Sequence, residues 1–135
     1  MTATLARGSC LCGGLRFSAL LPTKWVAHCH CTYCRRAHGA AFVTWAGFRS
    51  EQVSIDEAGL APTWFESSPG AVRGFCPRCG SPTFFKSQRW PDEMHVARAL
   101  FSDPLDRDPT AHVFYESHVP WLSVADELPK KSGTS

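Results

Sequence analysis

Seven cysteines carry most of the chemistry this sequence offers, and all of them fall into three tight groups. The groups are Cys10-x-Cys12, Cys29-x-Cys31-x-x-Cys34 and Cys76-Pro77-Arg78-Cys79-Gly80. An odd count leaves one thiol over, and cysteines separated by one residue seldom reach disulfide geometry with each other. Clustered thiolates select zinc, iron–sulfur clusters or Cu(I), and a tetrahedral four-sulfur set is commonest with zinc. Cys76 to Gly80 reads as a zinc knuckle: Gly80 permits the sharp turn, and backbone N–H groups after the first thiolate can point back at its sulfur. A knuckle supplies two ligands and needs two more. Taking them from Cys10 and Cys12 closes a four-sulfur structural site from distant parts of the chain. Cys29, Cys31 and Cys34 then remain, close enough for one curled segment to clasp a second ion. Three protein ligands with an open position are the pattern of catalytic zinc. The expectation is two Zn²⁺ per chain. Two alternatives stay open from the residues alone: a trio closed by His28, His30 or His38, and an iron–sulfur cluster in place of zinc.

Several side chains flank the trio. Arg35 and Arg36 follow the last ligand directly and could hold a substrate carboxylate, or simply balance thiolate charge. His30 and His38 are candidates for substrate contact or proton transfer near neutral pH, with hydrogen bonding to the ligands as the plainer role. Tyr33 and Trp45 are expected in the core rather than in a pocket, and His112 and Trp121 in structural roles. Asp103, Asp106 and Asp108 read as a solvated turn.

Short elements must position these groups. Extended runs are expected at Leu15–Leu20, Trp25–His28, Ala41–Phe48, Gln52–Ile55, Thr63–Glu66, Val72–Phe75, Thr83–Lys86, Met94–Ala99 and His112–Phe114, separated by Gly, Pro and Asp. Thr32 suits the N-cap of a helical turn over Tyr33–His38 that Gly39 stops. The reading is a single, mainly β domain of many short antiparallel strands spanning 8–129. Residues 1–7 form a lead-in and 130–135 a disordered tail.

At 135 residues, 44% of them hydrophobic, the chain can bury one real core. No stretch is long and apolar enough for a membrane span, and the first residues lack the apolar core of a secretory signal. A cytoplasmic location is therefore expected, where cysteines serve as metal ligands rather than disulfides. The formal charge is +2, yet residues 1–50 hold six Arg or Lys and no acid, while 51–135 hold eight basic and twelve acidic residues. Seven thiolates with two divalent ions would take that +2 to −1, so the basic half reads as compensation for thiolate charge. Nucleic acid is accordingly not the expected partner.

Gly8-Ser9-Cys10-Leu11-Cys12-Gly13, Cys29-His30-Cys31-Thr32-Tyr33-Cys34-Arg35-Arg36 and Phe75-Cys76-Pro77-Arg78-Cys79-Gly80-Ser81-Pro82 together resemble the glutathione-dependent formaldehyde-activating enzyme family, which includes centromere protein V. His112 and the run Pro120-Trp121-Leu122 extend the resemblance to about Pro129. It implies a zinc-built, β-rich fold of Mss4-like, β-tent type. It also implies a structural zinc on the first and last cysteine groups and a catalytic zinc on the middle one. The activity implied is that of a carbon–sulfur lyase forming or cleaving a thiol adduct such as S-hydroxymethylglutathione. The partner would then be a small thiol or thiol adduct, glutathione among them. The rival reading, suggested by centromere protein V, is a non-catalytic zinc module that binds protein or nucleic acid. Nothing in the sequence fixes the oligomeric state.

Overall fold

The structure, a computed structural model, describes residues 4–134. Ten strands and one α-helix form among them: β1 Leu5–Ser9, β2 Arg16–Leu20, β3 Trp25–Cys29, α1 Thr32–His38, β4 Val43–Arg49, β5 Val53–Ile55, β6 Thr63–Ser68, β7 Ala71–Phe75, β8 Pro82–Ser87, β9 Glu93–Ala97 and β10 His112–Val113. They build a three-stranded sheet in the order β1-β2-β5 and a seven-stranded sheet in the order β10-β3-β4-β9-β8-β7-β6. All pairs are antiparallel except β10 on β3. The mainly β expectation holds.

Side chains alternate across a strand, so each strand of the large sheet serves two faces. One face meets the small sheet: Val26, Ala46, Phe48, Phe84, Met94 and Val96 pack with Ala6, Phe17 and Ala19 into one core. Phe17 stands edge-on to Phe84 and Phe101, with ring centroids 5.4 and 5.2 Å away. Each buried Val, Met or Phe side chain here stabilises the fold by about 1.5–3 kcal/mol. The opposite face carries Cys29, Val43, Trp45 and Ala97, with Trp25 and Phe85 packed beside them.

Register lines up a row on that second face. Trp25 pairs with Gly47, Gly47 with His95, His95 with Phe85, and Phe85 with Arg73, across five neighbouring strands. Gly47 is required in this row, because a Cβ there would run into the Trp25 indole. The missing side chain lets Trp25 lean toward His95, their ring centroids 4.6 Å apart.

Three details differ from the sequence expectations. Strand β1 occupies much of the supposed lead-in; its inward residues are Ala6 and Gly8, too small to give a hydrophobic alternation. The N-cap of α1 is Cys31 rather than Thr32, with its Sγ accepting the Cys34 N–H at 3.2 Å. The supposed tail is tied down by hydrogen bonds: Lys131 N–H donates to His112 O, Tyr115 N–H to Lys131 O and Phe114 N–H to Gly133 O, all at 2.8–2.9 Å. Residues 1–3 and Ser135 lie outside the described residues.

Candidate metal centre

Two hairpins bring the first and last cysteine groups together. Cys10 and Cys12 lie in the β1–β2 turn of the small sheet, and Cys76 and Cys79 in the β7–β8 turn of the large one. Gly13 and Gly80 take φ of +78° and +80°, the left-handed backbone that glycine adopts without Cβ strain. The Gly80 N–H closes the knuckle on Cys76 O at 2.9 Å. The four sulfurs lie within 4.8 Å of one another. Cys10 and Cys12 sulfurs are 3.5 Å apart and those of Cys12 and Cys76 are 3.8 Å apart. A zinc tetrahedron with Zn–S of about 2.3 Å has sulfur–sulfur edges of roughly 3.8 Å, so this cradle already has the dimensions of the ion.

Hydrogen-bond donors surround the sulfurs, while burial pushes the Cys76 thiol up. Leu15 N–H donates to Cys10 Sγ at 3.3 Å, Arg78 and Cys79 N–H groups to Cys76 Sγ at 3.4 and 3.5 Å, and Arg78 Nε to Cys12 Sγ at 3.3 Å. Hydrogen bonds from the Ser81 hydroxyl and N–H, then the Cys12 backbone, pull the Cys79 thiol down to about 5. The Gly14 N–H and then Arg78 lower that of Cys12. None of the four quartet cysteines lines the cavity that opens beside the middle group.

The middle group is built differently. Cys29 ends β3, Cys31 caps α1 and Cys34 lies inside the helix, so one strand-to-helix corner gathers three sulfurs within 4.8 Å. Cys29 and Cys34 sulfurs are 3.6 Å apart. No histidine, acid or further cysteine among the described residues joins this group at that distance. The Trp45 Nε1–H donates to Cys34 Sγ at 3.4 Å, and both terminal nitrogens of Arg73 lie 3.7–3.8 Å from it. Cys29 and Cys31, then Arg73 and the Trp45 indole, hold the Cys34 thiol down to about 2 against its burial. The price appears on Cys29, which the neighbouring thiols and burial push upward.

The trio opens on a cavity of about 860 Å³ floored by the second face of the large sheet. Tyr33, Trp45, Arg73, Phe85, His95 and Trp90 are among its walls. Tyr33 is exposed and lines the cavity, contrary to the expectation from sequence, whereas Trp45 is buried in the core as expected and lines the cavity as well. His95 Nε2 bonds Glu93 Oε1 at 2.9 Å, and that carboxylate also accepts from Lys24 Nζ at 2.6 Å and Trp25 Nε1 at 3.3 Å. Nδ1 of His95 has no hydrogen-bond partner among the described residues. Burial lowers the proton affinity of His95, and the Glu93 carboxylate and Cys34 only partly offset that, so the ring is neutral near pH 7.

None of the four proposed substrate contacts lines this cavity. Arg35 Nη1 donates to Ser117 O at 2.9 Å, bracing the C-terminal segment. Arg36 is exposed on α1. His38 stands edge-on to Trp45, with ring centroids 5.4 Å apart. His30 is buried on the other side of the sheet, where its Nε2 meets His112 Nδ1 at 2.8 Å and His112 Nε2 meets the Asp126 carboxylate at 2.9 Å. The consistent proton assignment runs from His30 Nε2–H to His112, and from His112 Nε2–H to Asp126. Burial, then the His112 charge, holds His30 down to about 4. His112 thus fastens β3 to the C-terminal segment, as its expected structural role requires.

Ligand atoms of His28, His112 and Asp126 also come within 4.8 Å of one another. The two rings stack, with centroids 4.8 Å apart and planes 28° from parallel. Their in-plane lone pairs run side by side instead of converging on an ion. The acidic turn is tied down at two of its three acids, Asp103 pairing with Arg7 at 3.2 Å and Asp106 accepting from Thr23 N–H at 2.9 Å, while Asp108 is exposed as expected. Arg73 and His95 escaped sequence reading, since only strand register carries them to the trio.

Against this geometry stand three comparisons. The model of the family described as glutathione-dependent formaldehyde-activating enzyme matches residues 5–117. A Halomonas elongata protein described by the same family name is 30% identical over 131 residues, covering 89% of this chain and 81% of its own. An uncharacterized lyase of Schizosaccharomyces pombe is 30% identical over 79 residues, 58% of this chain and 55% of that protein. Among solved structures, a Rhodobacter sphaeroides protein shares the fold with a TM-score of 0.63 at 23% identity, over 92% of this chain and 98% of that one. Cysteine groups in order along the chain and a family match over most of its length agree, and the chain belongs to the glutathione-dependent formaldehyde-activating enzyme family.

Proposed function

We propose that this protein is a zinc-dependent carbon–sulfur lyase that forms or cleaves a thiol adduct, of which S-hydroxymethylglutathione is the type. Cys10, Cys12, Cys76 and Cys79 hold a structural zinc, and Cys29, Cys31 and Cys34 hold a catalytic one. The observation that carries this reading is the contrast in sulfur number and position: four sulfurs gathered together with none of them lining the cavity, and three gathered together that all line it. A zinc ion bound by the trio supplies an electrophilic centre for a substrate sulfur or oxygen.

The chain's own groups do the rest. Arg73 offsets the negative charge gathered on Cys34 and keeps that sulfur ionised as a ligand. The aromatic walls exclude water and so strengthen the interactions inside. In the forming direction a C–S bond is made, the C=O π bond opens, and one proton must pass from sulfur to oxygen. His95 is neutral and presents Nδ1 with no protein partner; it takes the thiol proton and returns it to the new hydroxyl oxygen. Glu93 orients the ring through Nε2 and stabilises its charged form. Cleavage reverses each movement.

The test is exchange NMR of formaldehyde and glutathione with the zinc-loaded protein. Adduct exchange faster than the buffer rate, lost in a folded Cys31→Ser variant, is expected. An exchange rate equal to buffer for glutathione and for other small thiols would remove the lyase reading and leave a non-catalytic zinc module.

A further inference from the structure

The cavity has walls that select among thiols. Four aromatic side chains, Trp25, Phe85, Trp90 and Phe114, line it. Its charged groups are unevenly committed. Arg73 is held by Cys34 Sγ, by Ser67 Oγ at 3.2 Å and by the Phe85 ring, its guanidinium carbon 4.8 Å from the centroid. Glu93, the one acidic residue on the wall, is filled by Lys24, Trp25 and His95. Arg89 differs. Its guanidinium lies over Trp90 and Phe114, 4.9 and 5.7 Å from the centroids, and makes no ion pair or side-chain hydrogen bond among the described residues. A guanidinium stacked by its face keeps its N–H edge for a carboxylate fork. Lys131 adds a second positive charge to the lining.

We propose that the organic part of the substrate is a flat apolar group bearing an anionic substituent and no ammonium, the ring lying among Trp25, Phe85, Trp90 and Phe114 and the anion on Arg89. This rests on reading the trio as a thiol-binding site, and it narrows which thiol is preferred. A zwitterionic peptide thiol such as glutathione fits these walls poorly. Its α-ammonium meets no free carboxylate, and its amides would lie against aromatic faces without replacing their water hydrogen bonds.

Calorimetry on the zinc-loaded full chain, with four probes, decides the matter: 4-(sulfanylmethyl)benzoate, phenylmethanethiol, glutathione and the sulfur-free 4-methylbenzoate. The aromatic carboxylate thiol is expected to bind at least about tenfold tighter than glutathione. Arg89→Gln, a change at an exposed residue, should cut its affinity about tenfold, to that of phenylmethanethiol, whose own affinity stays constant. Glutathione binding as tightly as the aromatic thiol, or a carboxylate preference that survives Arg89→Gln, overturns the proposal. If 4-methylbenzoate binds as well as its thiol counterpart and still depends on Arg89, the thiol-site reading fails while the cavity assignment stands. If none of the four binds, both fail.

Discussion

Two sulfur clusters in one small protein share a donor type and little else. The quartet is assembled by two hairpin turns from separate sheets, and its sulfurs receive backbone N–H groups fixed by those turns. The trio sits at one strand-to-helix corner, and two side chains, Trp45 and Arg73, supply most of its outer hydrogen bonding. Backbone donors are set by the fold itself. Side-chain donors are set by register between strands far apart in sequence, and can be changed one at a time without dismantling the turn. The first arrangement suits a staple, the second a tunable site beside a cavity.

The largest effect should come from breaking the staple. Cys76→Ser removes a quartet sulfur that is fully buried, and metal binding at four-sulfur sites is worth apparent values of roughly 10–16 kcal/mol in small zinc domains. It is expected to abolish cooperative unfolding in a thermal melt, whereas Cys31→Ser leaves the melt cooperative and lowers bound zinc by one ion. Equal damage from both would erase the distinction. Arg73→Met tests the side-chain arm alone. Competition with a chromophoric chelator should show the trio's zinc affinity reduced roughly 10–100-fold, with the quartet unaffected.

A smaller loss is expected from Gly47→Ala, which forces the Trp25 indole out of the cross-strand row. Urea denaturation should register about 1–3 kcal/mol of destabilisation, with altered tryptophan emission. Smallest is the pH effect at His95. Its folded proton affinity lies below the usual value of 6.5, so the unfolded chain binds the extra proton first. Stability from this group is complete above about pH 6.5 and declines as pH falls below it. Denaturant midpoints at pH 7.5 and 5.5 should converge in His95→Gln relative to wild type.

Much of this molecule was legible in its sequence because its signals are local. Cysteine spacing pointed to the quartet and trio, and alternation located nine strands to within a few residues. Strand β1 was lost because Ala6 and Gly8 carry no apolar weight. The cavity lining was hidden for a related reason. Arg35, Arg36, His30 and His38 are near the trio in sequence, but strand alternation and the helical turn send them elsewhere. Arg73 and His95 are remote in sequence and arrive only through the pairings of Phe85 with Arg73 and His95. Cysteines close along the chain are gathered in space, while Arg35, Arg36, His30 and His38 beside them stay off the cavity wall.

Strand β3 acts as a partition. Cys29 looks into the cavity while His28, one step earlier, looks the other way toward Thr44, 2.7 Å from its hydroxyl. A slip of a single position in pairing with β4 would trade the two populations, giving imidazole to the cavity and burying sulfur beneath His112. The mispaired chain would favour a harder metal at the wrong wall, so a shift in which ion co-purifies would betray the folding error before any loss of solubility did.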